Sequence, residues 1–415
     1  MKKIYPGVFL FFSSILSGQS LKELYDLSMK SYENKDYAAY LIQTKTLDSL
    51  RPCHPKFTYN LAAAYALNQQ NDAAIEMLEK IVLMNNSVSF EDDADFKSIQ
   101  NSPQYTKVLT LKKKLNDSIT NSVKLLTLNE KELHPEGLLI LNNQKIGLAA
   151  SIRKRKIVAF DLKTGQCTDW LIKNDMLAVF SMKEDAKNEF LWVATAAIPE
   201  MENYSKELEG KAEILKIAIK TKEIVNRYSV DGQHLFGDLV VTKANVVYLS
   251  DSAKPMIYKI EKDELTEWLN LENEAFNLQG ITLNASEDKL FVADYLKGIL
   301  SVSIKNQSKH WIQFPKGTTQ KGIDGLTFYN DSLLAIHNGV SPNRIIQYFL
   351  NNDQNQFDSF TVLDHNRKEF NEPVLGTLSG NSFYFFCNSP WNAYSKSFEL
   401  NPLLYSNPIL FSYNL

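Results

Sequence analysis

The chain has 415 residues, 44% hydrophobic, 22% charged and 11% aromatic. That is apolar material for a sizeable core and too much length for one small module, so two domains, one of them large, are expected. A formal charge of -3 supplies no global basic field, so no nucleic-acid partner and no anionic membrane surface is expected, a local patch aside. Three cysteines, Cys53, Cys167 and Cys387, are too few and too scattered for a disulfide framework or a cysteine-rich zinc site.

At the N-terminus, Lys2 and Lys3 precede an apolar run from Ile4 to Leu16, followed by Ser17, Gly18, Gln19 and Ser20. This is the layout of a secretory signal peptide over residues 1–18, so an exported protein, periplasmic or secreted, is expected. The run holds about 13 residues, interrupted by Pro6 and Gly7, against the roughly 20 that span a bilayer. No second apolar stretch follows, so no membrane span is expected.

Residues 19–116 carry helical periodicity, with apolar residues at i, i+3, i+4 and i+7. Two segments, DYAAYLIQTKTLDSL and NDAAIEMLEKIVLM, align at a spacing of about 35 residues. Ala39 and Ala74 then stand at equivalent close helix crossings, with Tyr32 and Tyr65 in the preceding helices. The pattern resembles tetratricopeptide repeats, with fewer than three full repeats visible. Such a piece either presents a groove to a peptide or protein partner or serves as a structural cap.

Residues 117–415 change texture to short alternating strands punctuated by Gly, Asn and Asp. Six segments share a strand, turn, strand frame: HPEGLLILNNQKIGLAAS, MLAVFSMKEDAKNEFLWVATAA, HLFGDLVVTKANVVYLSDS, NLQGITLNASEDKLFVADY, GIDGLTFYNDSLLAIHNG and PVLGTLSGNSFYFFCNS. Most are followed by a third strand, such as RKIVAFDL, and often by a fourth, such as TDWLI. At roughly 50 residues per repeat, a six-bladed β-propeller is expected, a mainly β fold behind a small α-helical domain.

The first strand of each blade lines the central channel, so the residue entering it faces the channel mouth. That column reads Glu136, Val179, Gly237, Gln279, Asp324 and Leu375. The loops after the second strands open on the same face and offer Arg153, Tyr295, His337, Asn338, Asn388 and Trp391 among others. Two carboxylates and an amide there form an oxygen-rich set suited to a hard cation such as Ca²⁺. A blade insertion, AIPEMENYSKELEGKAE, either overhangs the mouth as a lid carrying Met201 and Tyr204 or is a solvated excursion. His134 and His234 flank the column and are either general bases or turn and packing residues. His337 is the better-placed histidine, and Trp391 is placed to stack on a substrate ring.

The segments PEG at 135–137, GDLVV with VYLSDS, QGITLNASEDKLFVAD and IDGL at 323–326 together resemble the gluconolactonase and regucalcin-like superfamily, over the whole propeller. The resemblance implies a divalent cation, usually Ca²⁺, bound by a Glu, amide side chains and an Asp, and hydrolysis of a small-molecule lactone or ester. Glu136 and Asp324 match the acidic ligands, and Gln279 stands where an Asn is typical. Gly237 replaces another typical Asn, so one ligand is missing, and the Asp238 that follows is expected to be structural. The expected metal set is Glu136, Gln279 and Asp324, with Asp324, Glu136 and His337 as the catalytic candidates. Arg153, Met201, Tyr204, Tyr295, Asn338, Asn388 and Trp391 are the expected substrate lining.

No GxSxG elbow, phosphate-binding glycine loop, HExxH or EF-hand spacing is found. Two function classes therefore stand: a metal-dependent lactone or ester hydrolase, and a non-catalytic sensor or scaffold that binds through the helical repeats and the propeller face.

Overall fold

The computed structural model describes residues 20–141 and 146–415. The expected signal peptide lies outside the described residues. The chain forms two compact units: residues up to Leu78 with Ser89–Tyr105, and Glu79–Val88 with Thr106–Leu415. Among the described residues no helix is long and apolar enough to cross a membrane. No disulfide joins the three cysteines.

Five helices, Leu21–Glu33, Tyr37–Leu50, Pro55–Leu67, Asn71–Met84 and Pro103–Lys114, occupy the N-terminal region. Their starts are set by local chemistry. Ser20 and Glu23 close a reciprocal capping box, and the Asp36 carboxylate accepts the Ala39 N–H at 3.1 Å, which satisfies amides that lack intrahelical partners. Within the first unit, Leu24, Leu47 and Phe57 form a core cluster. Ala62, Ala64 and Ala74 are fully buried, whereas Ala39 is half-buried.

The second unit is a six-bladed β-propeller. Blade 1 runs Pro135–Ile140, Ile146–Ser151, Lys156–Asp161 and Cys167–Ile172. Blades 2, 3 and 4 begin at Ala178–Glu184, Phe236–Val241 and Leu278–Leu283, and each continues as a four-stranded antiparallel meander. The inner strand of blade 1, Pro135–Ile140, is buried along its whole length, and outer strands are mostly half-buried or exposed, as at Glu264–Asn270. This gradient follows from each sheet being covered on both faces near the axis and bare at its rim.

The last two blades borrow strands from the start of the unit. Ile119–Thr120 adds a fifth strand to blade 5 beside Phe357–His365. Val123–Thr127 pairs antiparallel with Ile409–Asn414 and supplies the outer strand of blade 6. The ring is closed by hydrogen bonds between strands from the two ends of the unit, and the edges that remain are the short inner strands facing the channel and the outer rims.

A β-bulge recurs in blades 1 to 5 where the first strand enters, between Pro135 and Leu138, Val179 and Ser181, Phe236 and Asp238, Leu278 and Ile281, and Ile323 and Gly325. A bulged residue leaves the ladder and its side chain is re-aimed. In blade 2 the unpaired residue is Phe180, and Val179 is fully buried in the core between blades. The channel column therefore passes through Phe180 and corrects the expected Val179.

The residue after the bulge holds neighbouring blades together. A Cβ on Gly137 would stand 2.4 Å from the Phe180 carbonyl oxygen, and one on Gly280 would stand 2.5 Å from that of Asp324, so these positions admit no side chain. In blade 3 the same place is held by Asp238. Its carboxylate accepts Ser181 Oγ at 2.5 Å, the Leu239 N–H at 2.9 Å and the Ile281 N–H at 3.1 Å. One buried acid thus ties three blades, although it also lines the cavity described next.

Candidate functional site at the channel mouth

The bulged side chains converge on a cavity of about 240 Å³. Five of the six expected column positions line it: Glu136, Gly237, Gln279, Asp324 and Leu375, with Phe180 completing the ring. Of the expected loop residues, Tyr295, Asn338 and Trp391 line it as well. Residues that the frame did not single out are Leu235, Asn277 and Glu372, which precede the first strands of blades 3, 4 and 6. Leu235 and Asn277 stand two positions before the column, where nothing in the sequence alone marked a contribution to the mouth.

Hydrogen bonds fix most of the polar lining. Trp391 Nε1 donates to Glu136 Oε2 at 3.0 Å, and Asn338 Nδ2 donates to Asp324 Oδ2 at 2.7 Å. Asn338 also donates to the Pro373 carbonyl and accepts the Tyr295 hydroxyl at 3.3 Å. Gln279 Nε2 donates to Asn277 Oδ1, whose Nδ2 donates to the Ser252 carbonyl at 2.7 Å. The second oxygens of Glu136 and Asp324, each on a residue 7% exposed, meet no donor among the described residues. The Glu372 carboxylate has no hydrogen bond or ion pair there either.

These acids share a small space with no Lys, Arg or His among the lining residues. Burial, reinforced by the Asp324 charge, holds the Glu136 carboxyl well above the usual range, and the Trp391 N–H pulls it partly back. Burial raises Asp324 to about 7 against the Asn338 bond, and burial with the Asp324 charge raises Glu372 to about 8. Each shift records the cost of negative charge that is neither solvated nor paired. A cation in the cavity would remove that cost.

The oxygens left open are hard acceptors: Glu136 Oε1, Asp324 Oδ1, Gln279 Oε1 and the Glu372 carboxylate. In chemical type this set fits a hard divalent ion. Among the described residues no group of three or more His, Cys, Asp or Glu side chains is placed to hold a metal by itself. An ion here would therefore also need the Gln279 amide oxygen and water. A Cβ at Gly237 would stand 2.9 Å from Ser252 Oγ, which donates to the Leu278 carbonyl at 2.6 Å, so a side chain there requires that hydroxyl to shift.

The other expected residues lie apart from the cavity lining. His337 is fully buried; its Nδ1 faces the Lys321 carbonyl at 3.0 Å and its Nε2 the Tyr348 hydroxyl at 3.1 Å. Asn388 bonds Ser406, Asn407 and the Ile409 N–H. Both occupy the position at the end of a second strand where Asp251 and Asp294 each accept backbone amides of the adjoining loops. The polar character of that position comes from holding turns, a recurrence visible in the SD and AD pairs of blades 3 and 4. His134 is likewise buried, and burial pushes both His134 and His337 down to about 3, which keeps them neutral.

The blade 2 insertion is fastened down. Arg153 Nη2 stands 3.4 Å from Glu202, Lys154 Nζ 2.7 Å from the same carboxylate, and the Glu202 N–H donates to the Arg153 carbonyl. Met201 is 3% exposed and joins a core cluster against which Tyr204 and Trp391 also pack. Met201 and Tyr204 thus lie outside the cavity lining.

No protein-family model matches the sequence, and no curated protein does. Solved structures do resemble the propeller. A calcium-binding protein, regucalcin, from Agrobacterium tumefaciens aligns with a TM-score of 0.51 at 10% identity, over 72% of this chain and 95% of that one. The major allergen Mala s 1 of Malassezia sympodialis aligns with a TM-score of 0.52 at 11% identity, over 71% and 96%. Virginiamycin B lyase from Staphylococcus aureus aligns with a TM-score of 0.47 at 13% identity, over 70% and 98%. At these identities the likeness is one of fold, and it covers the propeller.

Proposed function

We propose that the channel-mouth cavity is a cation-dependent hydrolytic site for a small lactone or ester. The observation that carries this reading is the pair of buried carboxylates, Glu136 and Asp324, each with one oxygen bonded by a fixed N–H and the other open to the cavity. Glu136, Asp324 and the Gln279 amide oxygen would hold a divalent cation, most readily Ca²⁺. Bound there, the ion would supply charge to polarise an ester carbonyl.

The chain's own groups divide the remaining work. Trp391 Nε1 and Asn338 Nδ2 fix the two carboxylates so that their free oxygens face the cavity. Phe180, Leu375 and Tyr295 form the apolar wall that orients the substrate and limits water. Neutral, buried His134 and His337 take no part in proton transfer.

A second reading, a ligand sensor without chemistry, draws support from Gly237 and Leu375, two column positions that offer no donor. Calorimetry with Ca²⁺ on the wild type, Glu136→Gln and Asp324→Asn, alongside a lactone and ester panel with and without chelator, separates them. The hydrolase reading expects micromolar or tighter binding lost in both variants, and turnover abolished by chelator. Turnover that is indifferent to chelator would refute the cation dependence, and binding without turnover across the panel would favour the sensor.

A further inference from the structure

Four carboxylates line the cavity: Asp238 is spent on Ser181, Leu239 and Ile281, the column supplies Glu136 and Asp324 to the proposed cation, and Glu372 is left over. Glu372 comes from the segment ahead of blade 6, and its carboxylate holds no hydrogen bond or ion pair among the described residues. No basic side chain lines the cavity, and three of its walls are aromatic: Phe180, Tyr295 and Trp391. The free oxygens of Glu136 and Asp324, on residues nine-tenths buried, face the same space. A divalent ion would balance those two acids and leave the Glu372 charge open beside the rings.

We propose that the cavity selects a ligand bearing an organic ammonium group, which Glu372 recognises by charge and Trp391, Tyr295 and Phe180 by their ring faces. Carboxylate and aromatic groups enclosing an apolar pocket are the complement of such a cation: the ring quadrupole attracts positive charge, and the attraction strengthens as water is excluded. A neutral ligand of equal shape gains only contact area. An anionic ligand meets four acids and no base in the lining, so it is rejected by repulsion. The inference rests on the reading of this cavity as the ligand site, and it names the substrate class: small esters or lactones carrying an amine or quaternary ammonium.

The test uses acetylcholine and its uncharged isostere 3,3-dimethylbutyl acetate, which differ in one atom and one charge. Binding is measured by calorimetry and turnover by acetate release, on the full chain with Ca²⁺ present, for wild type and Glu372→Gln. The expected result is at least a tenfold preference for the charged ester in wild type, falling below threefold in the variant. A thermal melt at pH 5, where the wild-type carboxyl is also neutral, verifies that the variant is folded. Equal affinity for the two esters, a preference that survives Glu372→Gln, or failure of both to bind would overturn the inference. Hydrolysis of both esters without charge preference would overturn it while leaving the hydrolase reading intact. Charge-selective binding with no turnover would do the reverse.

Discussion

Removing one buried acid should change how stability depends on pH, and Glu372→Gln is the clearest case. In the unfolded chain this carboxyl titrates near 4.5, and in the folded protein burial and the Asp324 charge raise it to about 8. Between those values the native state keeps a proton that the unfolded state has released, so stability falls as pH rises. Each pH step costs about 1.36 kcal/mol, which bounds the total at about 5 kcal/mol, and relaxation and water entry would reduce it to about half. The glutamine variant is neutral at this position throughout and lacks this loss. Buried His134 and His337 act with the opposite sign, destabilising the fold as pH falls below about 6.5 toward about 3. They are common to both proteins and cancel in the difference. Denaturant melts of the chelated protein should therefore give equal stability near pH 4.5 and a variant more stable by about 2 kcal/mol or more above pH 8. Addition of Ca²⁺ should narrow the gap. Parallel stability curves from pH 4.5 to 8.5 would refute the account of an unpaired, poorly solvated acid cluster.

Gly237→Asn should restore an amide donor to the vacant column position, because its Cβ meets only a serine hydroxyl. The expected outcome is about tenfold tighter Ca²⁺ binding by calorimetry, one added oxygen ligand being worth about 1.4 kcal/mol, with a lowered melting temperature in the ion-free protein because the added Cβ displaces the Ser252 hydroxyl from its bond to the Leu278 carbonyl. Asp238→Ala should leave Ser181 Oγ and the Leu239 and Ile281 N–H groups without their acceptor. A loss of about 3 kcal/mol or more in denaturant melts is expected, and Asp238→Asn should cost less, since its amide oxygen can still accept.

How far the site was legible depends on which physical rule placed each residue. Strand alternation and the recurring frame locate the column, because the entry position of every first strand obeys the same geometry. They put Glu136, Gln279 and Asp324 around one axis. The frame fails by one residue in blade 2, where the bulge, a backbone event with no residue signature, turns Phe180 inward and Val179 outward. It also treats every polar residue after a second strand as a mouth residue, although His337 and Asn388 are spent on turns there, as Asp251 and Asp294 are. Glu372 escaped notice because it lies three positions before Leu375 in an irregular segment, and irregular backbone carries no period from which a direction can be read.

The sequence by itself determined the element types and the sixfold count, since these follow from short-range periodicity and turn chemistry. Tertiary structure alone decided which strand closes the ring, with Val123–Thr127 meeting Ile409–Asn414 from the far end of the same unit. It also decided that four acids line one cavity with no Lys, Arg or His in its lining. Both depend on long-range packing: a strand edge accepts whichever partner the closed ring brings to it, and a carboxylate's charge state is set by neighbours that lie far away along the chain.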